Sequence, residues 1–287
     1  MTEFRDKVAV ITGAASGIGR ALAKQCAQEG MQVVLADIDQ EKLRETQEAL
    51  KTLGADVLAV PTDVSKVDDV ERLLQATLEQ FHAVHLLCNN AGIFSAEDAM
   101  LPLWQVPQAE WQRMVDINLW GVIHGIRIFT PVMLQQDTTC YMVNTASMAG
   151  IGVGELFGIY GMTKHAVVSL SETMHQQLNA RQAKLHVAVL CPGFTSTSII
   201  NSEASRYQQV VEVSEANAMG QEEKQKLQWV LQGVRDGVHP AQVAQTVFQA
   251  LRQKAVYIFT DSGALDFARD RFENIVQRST SPAQSTQ

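Results

Sequence analysis

Tyr160 precedes Lys164 by four residues in GIYGMTK, a separation that on a helix puts a phenol and an ammonium on one face, their β-carbons about 5 to 6 Å apart. A cation beside a phenol favours the phenolate and draws the tyrosine pKa below its usual value of about 10. That is what a tyrosine needs to act as a general acid or base. Such a pair is also common on helix surfaces, so the neighbouring residues decide. Ser147, in NTASMAG, ends a strand-like run thirteen residues before Tyr160. A hydroxyl there could hydrogen-bond a carbonyl and hold it against the phenol. Asn118, in DINLWG, is a polar residue among Ile117, Leu119 and Trp120 inside a long helical pattern. Its amide either holds a water or opens the helix ladder near the Lys164 ammonium, or is an interior amide satisfied by its surroundings.

The elements that must position these residues follow from hydrophobic periodicity. Strands are predicted at 7–12, 32–37, 56–61, 84–89, 139–146, 184–190 and 255–260, and helices at 17–30, 39–53, 66–81, 108–135, 158–181 and 240–253. Strand alternating with helix is the pattern of βαβ units and of a parallel sheet covered on both faces. Pro240 suits a first helical position, where its missing N–H costs nothing. The expected architecture is α/β, a single domain over residues 1–277 built on a parallel sheet of about seven strands with helices on both faces. Within it, 193–238 reads as an irregular substrate lid after the sixth strand, with Phe194, Ile199, Ile200, Met219 and Trp229 as isolated apolar residues. The polar stretch RSTSPAQSTQ, 278–287, reads as a disordered tail.

The first strand runs into TGAASGIG, Thr12 to Gly19, and on into a helix. Gly13, Gly17 and Gly19, with Ser16 and Ile18 between them, let the backbone approach a ligand at a helix start, where unpaired N–H groups and the dipole suit a pyrophosphate. Asp37 ends the second strand eighteen residues after Gly19. A carboxylate there can accept from both hydroxyls of an adenosine ribose and repels a 2′-phosphate, which favours NAD over NADP. Residues 14–16 and 38 carry no basic side chain, although Arg20 follows Gly19. Asp63, in TDVS, either accepts from the adenine amino group or caps the next helix.

Taken together, TGAASGIG, NNAG (89–92), Asn118, Ser147, YGMTK (160–164) and PG (192–193) stand in the order and approximate spacing of the short-chain dehydrogenase/reductase family, which the chain resembles over about residues 5–260. The resemblance implies a single Rossmann-type, doubly wound domain and a nicotinamide cofactor. It makes Tyr160 the proton donor or acceptor and Ser147 the group that orients the carbonyl. Lys164 would lower the Tyr160 pKa and bind the nicotinamide ribose, and Asn118 would hold a relay water. It further implies that the stretch Asn89, Asn90, Ala91 and Gly92 lines the adenosine side, with Val64 beside the adenine. Pro192, Gly193, Thr195 and Thr197 would lie near the nicotinamide and phosphates. The family usually reads PGxVxT, whereas Thr195 replaces the branched aliphatic residue here; that position meets the carboxamide through backbone, so cofactor binding should survive.

The expected function is NAD(H)-dependent interconversion of a secondary alcohol and a ketone, on a hydrophobic or aromatic substrate suggested by the apolar 193–238 segment with Phe94, Met148, Phe157 and Met162. Alternatives are an NADP(H)-preferring carbonyl reductase of the same fold and a non-catalytic nicotinamide sensor. Nucleotide-sugar epimerases and dehydratases fit less well, since they carry GxxGxxG turns. Lys plus Arg number 23 against 31 Asp plus Glu, a net charge of −8, which speaks against a nucleic-acid footprint. With 46% hydrophobic and 19% charged residues among 287, neither general disorder nor a fibrous repeat is plausible. No apolar run reads as the roughly 18 residues that span a bilayer, and no secretory leader is evident, so a cytoplasmic protein is expected. Cys26, Cys88, Cys140 and Cys191 are far apart and read as buried thiols, and neither they nor the seven histidines show metal-ligand spacing. A homodimer or homotetramer is expected from the family resemblance.

Overall fold

The computed structural model describes residues 3–197, 221–261 and 263–279. Part of the expected lid, 198–220, and the expected tail from 280 lie outside the described residues. The strands are β1 (Val8–Thr12), β2 (Gln32–Asp37), β3 (Val57–Pro61), β4 (Leu86–Asn89), β5 (Cys140–Thr145), β6 (Leu185–Cys191) and β7 (Tyr257–Phe259). They form one parallel sheet in the order β3-β2-β1-β4-β5-β6-β7. Each overlaps a predicted strand. β1, VAVIT, is buried at every position, as a central parallel strand must be when helices cover both its faces.

One face packs against α1 (Gly17–Gln28) and α9 (Pro240–Arg252), around Leu22, Cys26, Val247 and Phe248. The other packs against α3 (Val67–Phe81), α6 (Gly121–Gln135) and α7 (Gly158–Ala180), around Leu73, Phe129, Met133 and Met174. Helix α2 (Gln40–Lys51) completes the first half of the fold, and Pro240 opens α9 as expected. All four cysteines are buried and unpaired. The chain turns from β3 back to β4 beside β1, so the carboxyl ends of β1 and β4 flank the point where strand order reverses, the crevice in which open α/β sheets bind ligands.

The structure departs from the sequence reading in four places. The predicted helix 108–135 is α5 (Gln108–Val115), a π turn (Asp116–Trp120) and α6, because the buried Asn118 amide is engaged with another segment and the ladder widens around it. Three helices were not predicted: α4 (Ala96–Met100), α8 (Gln221–Arg235) and α10 (Ala264–Arg278). α8 corrects the reading of 193–238 as irregular: QEEKQKLQWVLQGVR is rich in good helix formers, and it buries Val230. Finally, Gln108–Gln135 is long and apolar enough to cross a bilayer, with a mean hydropathy of 1.3, against the expectation of no such run. Met114, Val122, Phe129 and Met133 nonetheless lie buried in the fold, the pattern of a core helix.

Candidate active site

Thr12 ends β1, and its hydroxyl oxygen accepts from the backbone N–H of Asn90 at 2.9 Å and of Ala91 at 3.0 Å. The same hydroxyl donates to the Cys88 carbonyl. Asn90 answers with its side-chain amide, which donates to the Thr12 carbonyl at 3.1 Å. These bonds hold the segment after β4 against the glycine turn. Gly13 stands at φ +68°, and a β-carbon there would lie 2.9 Å from Ala91 Cα; one on Gly19 would lie 2.0 Å from the Gly13 carbonyl oxygen. No larger residue fits either place. Sequence reasoning placed Thr12 in the turn but missed its role, which needs the β1–β4 pairing to be seen.

The start of α1 fits a phosphate-bearing cofactor. Its N-cap, Ser16, makes no side-chain cap bond, and the first turn holds no acid, so the N–H groups and the positive end of the dipole meet no anion from the helix itself. Gly17, at φ +53°, lies under Thr197, whose methyl a β-carbon would approach to 3.2 Å. Asp37 sits at the carboxyl end of β2; Oδ2 accepts from Ala15 N–H and Oδ1 from Asp39 N–H, both at 3.0 Å. The carboxylate is thereby fixed beside the turn, and each oxygen keeps a lone pair for another donor. Arg20 is exposed. Asp63 does not cap the following helix: the N-cap of α3 is Lys66, and the Asp63 carboxylate instead accepts from Ser65 N–H and Oγ. Val64 is buried against Gly121.

Asn89 is placed away from the glycine turn. It is buried and donates to Asn144 Oδ1 at 2.9 Å, and Asn144 donates in turn to Ser171 Oγ. This amide ladder ties β4 to β5 and to α7. Asn118, fully buried, is held by Ile93 and Thr163: Oδ1 accepts from Ile93 N–H at 2.8 Å, and Nδ2 donates to the Ile93 carbonyl at 2.9 Å and to Thr163 Oγ1 at 3.4 Å. Gly92 separates Asn118 from Lys164, and a β-carbon on it would stand 3.3 Å from both Asn118 Oδ1 and Lys164 Nζ.

Ser147, Tyr160 and Lys164 converge as the sequence predicts. Lys164 Nζ donates to the carbonyl of Thr145, the last residue of β5, at 2.9 Å, and stands 5.5 Å from the centre of the Tyr160 ring. Ser147 and Tyr160 line one cavity of about 950 Å³, together with Pro192, Gly193, Thr195 and Thr197. Phe94 and Phe157 flank the phenol with ring centres at 6.2 and 6.5 Å, both edge-on. Thr195 Oγ donates to the Gly193 carbonyl, and its own carbonyl accepts from Thr197 N–H at 2.7 Å.

Electrostatically the pair differs from the expectation that the ammonium lowers the phenol. Burial pushes Tyr160 above the usual tyrosine value, and the Ser147 hydroxyl pulls it partly back. Burial also pushes Lys164 down to about 8. The ammonium is committed to the Thr145 carbonyl rather than the phenol oxygen, and it begins to lose its charge at the alkaline pH where a phenolate would form. In the chain without ligands, burial of both groups outweighs their attraction.

The start of α7 is held from outside. Its N-cap, Phe157, lies in the left-handed region at φ +65° and offers no side-chain cap. Asp98, buried at 3% exposure, supplies it: Oδ1 accepts from Ile159 N–H and Oδ2 from Tyr160 N–H, each at 2.8 Å. Burial pushes the Asp98 carboxyl up, and the two N–H groups oppose that. Sequence reasoning missed this residue. Its local signal, Ser95 three residues earlier, belongs to α4, where Ser95 Oγ accepts from Asp98 N–H. Replacing Asp98 by Ala strands two donors at a helix N-terminus and is expected to cost about 2 to 3 kcal/mol. Asp98→Asn, which keeps one acceptor oxygen, should lose roughly half of that. Denaturant unfolding of the two variants beside the parent checks the ranking, and equal stability of all three would refute the role.

The site thus holds a fixed acid beside a glycine turn, an uncapped helix start, and a phenol and hydroxyl on one cavity with a buried ammonium near the phenol ring. The family model for short chain dehydrogenase matches residues 7–208. The CLA biosynthesis dehydrogenase/reductase of Lactiplantibacillus plantarum is 31% identical over 278 residues, covering 96% of this chain and 95% of that protein. The 1-deoxy-11-beta-hydroxypentalenate dehydrogenase of Streptomyces exfoliatus is 30% identical over 282 residues, covering 98% and 93%. Among solved structures, a short chain dehydrogenase/reductase from Burkholderia phymatum in complex with NAD is 39% identical, covers 99% of this chain and all of its own, and superposes with a TM-score of 0.86. With a family match over well more than half its length and relatives that span it almost end to end, the chain belongs to the short-chain dehydrogenase/reductase family and is an oxidoreductase acting between alcohols and ketones.

Proposed function

We propose that the chain is an NAD-preferring dehydrogenase/reductase for secondary alcohols and ketones with apolar bodies, with Tyr160 as its general acid and base. The observation that carries the reading is the 950 Å³ cavity, in which the phenol and the Ser147 hydroxyl stand on a wall made largely of aromatic and aliphatic side chains. When bound, the nicotinamide supplies the carbon that takes or gives the hydride. The protein's part is position and proton transfer. Ser147 Oγ holds the substrate oxygen, and Tyr160 gives it a proton during ketone reduction or takes one during alcohol oxidation. Phe94 and Phe157 keep water from the phenol. Lys164 holds ribose hydroxyls and passes protons towards the Asn118 side of Gly92. Gly13, Ser16, Gly17, Ile18 and Gly19 cradle the pyrophosphate with Thr197, and Asp63, Val64 and the stretch Asn90, Ala91 and Gly92 border the adenosine. Pro192, Gly193 and Thr195 border the nicotinamide. The hydroxyl-bearing compound in the name of the Streptomyces exfoliatus relative supports alcohol chemistry.

Cofactor choice is assigned to Asp37. Its fixed carboxylate accepts from the 2′ and 3′ hydroxyls and repels a 2′-phosphate. Asp37→Ser is expected to weaken NAD binding by about 2 kcal/mol, near thirtyfold, while NADP binding stays level or improves. Fluorescence titration with each dinucleotide measures this; an unchanged NAD to NADP ratio would count against it. The function itself is tested by following absorbance of the reduced nicotinamide while apolar secondary alcohols and ketones are supplied with either cofactor. Failure of every substrate with both cofactors, despite measured binding, would favour the sensor instead.

A further inference from the structure

The cavity that Tyr160 lines is largely apolar, yet the guanidinium of Arg271 also lines it. Arg271 stands on α10 one turn after Phe267, so the two share a helix face. Phe267 packs so closely on Gly152 that a β-carbon there would overlap its ring, which fixes α10 over the cavity. Arg271 Nη1 donates to the Ile151 carbonyl and to His165 Nε2. His165 Nδ1 donates in turn to the Gly161 carbonyl at 2.8 Å, next to Tyr160. The guanidinium is thus braced against the catalytic helix by groups that carry no negative charge. Among the described residues no carboxylate pairs with it, and its Nε and Nη2, three donors in a fork, make no hydrogen bond. The acids on the cavity wall, Glu155 and Asp261, are exposed, whereas Arg271 is partly buried.

A guanidinium drawn partly out of water and left without an anion is costly unless an anion visits it. We propose that the substrate carries a carboxylate as well as its reacting alcohol or ketone, and that Arg271 binds this carboxylate through its open fork while the aromatic wall holds the apolar body between the two ends. The inference rests on the reading of this cavity as the substrate site. It narrows the substrate class to apolar hydroxy or oxo acids, which neutral ketones of similar bulk should follow at a distance. A two-bond guanidinium–carboxylate contact selects for that head group by geometry as well as charge.

Titration calorimetry of the full chain with octanoate, octanamide and octylamine tests it without relying on turnover. Octanoate is expected to bind about tenfold to a hundredfold more tightly than octanamide. Arg271→Gln should erase that preference and Arg271→Lys should restore part of it. Arg269→Gln, on the same helix but exposed and paired with Asp266, removes the same formal charge and should leave the preference in place. Equal binding of octanoate and octanamide by the parent chain would overturn the proposal, a result that holds even if the Arg271→Gln variant misfolds. So would a preference that survives Arg271→Gln, or tighter binding of octylamine, which would point to Glu155 and Asp261 instead. Reduction of 2-octanone separates the two readings. If it depends on Tyr160 while octanoate shows no preference, only the carboxylate assignment falls. If it proceeds without Tyr160, the proposed function falls.

Discussion

Replacing Tyr160 by Phe is expected to lower kcat for both alcohol oxidation and ketone reduction by about a thousandfold, within the range of about 10² to 10⁴ that a positioned acid or base contributes. The ring keeps its edge-on contacts with Phe94 and Phe157, and the backbone N–H at 160 keeps its bond to Asp98. The variant should therefore fold and bind dinucleotide as the parent does, and the loss should fall on kcat rather than on cofactor affinity. Stopped-flow binding and steady-state rates on one preparation separate the two. The pH dependence follows from burial, which holds Tyr160 above the usual tyrosine value. At neutral pH the phenol is protonated, the form that donates to a ketone. Oxidation needs the phenolate, so its rate should climb with pH through the neutral and mildly alkaline range, while reduction should hold level and then decline. Because Lys164 titrates near 8 beside it, the apparent pKa belongs to the pair, and bound cofactor will shift it. Turnover that survives in Tyr160→Phe, or an oxidation rate indifferent to pH, would remove Tyr160 from the chemistry.

Much of this site is legible in the sequence because its residues act through local spacing. Tyr160 and Lys164 are one helical turn apart, Gly13 to Gly19 form one turn, and Asp37 ends a strand whose apolar run, VVLA, is plain. The strands were equally legible, since buried parallel strands such as VAVIT are continuous apolar runs. What escaped was set by contacts between distant segments. Asp98 caps a helix that begins sixty residues later, and nothing near it in sequence indicates that partner. Asn89 looked like part of the cofactor stretch, yet its side chain turns into the sheet towards Asn144, because pairing of β4 with β5 sets the two opposite each other. The π turn at Asn118 could be suspected from a polar residue in an apolar run, but its cause, the two bonds to Ile93, could not. The place of Arg271 on the cavity wall was invisible because α10 was not predicted. The direction of the Tyr160 shift was misjudged for a related reason. Spacing reveals a neighbouring charge, whereas desolvation depends on everything packed around the pair.

Lys164→Met is expected to lose catalysis and gain stability at once. Burial draws the Lys164 ammonium from 10.5 to about 8. At pH 7 the folded state therefore carries a charge it would rather shed, a penalty of about 3 kcal/mol at 1.36 kcal/mol per unit. Methionine is of similar length and removes that penalty, but it leaves the Thr145 carbonyl without its donor, which costs about 1 kcal/mol. The net expectation is a variant about 2 kcal/mol more stable than the parent at pH 7. The sign reverses at high pH. Between about 8 and 10.5 the unfolded chain binds a proton at Lys164 that the folded chain has released, so the parent gains stability from this group across that window and the gap closes. Cys88 and Cys191, pushed up to about 12 by burial, make both proteins less stable above pH 9, but they are common to both and largely cancel in the difference. Denaturant unfolding of parent and variant at pH 7 and pH 10 measures that difference directly. Activity should fall by about a hundredfold or more, because the ammonium that would hold ribose hydroxyls and relay protons is gone. A variant less stable than the parent at both pH values would show that the Thr145 bond outweighs the burial penalty, and that Lys164 is held in place for the fold rather than kept, at a cost to the fold, for the chemistry.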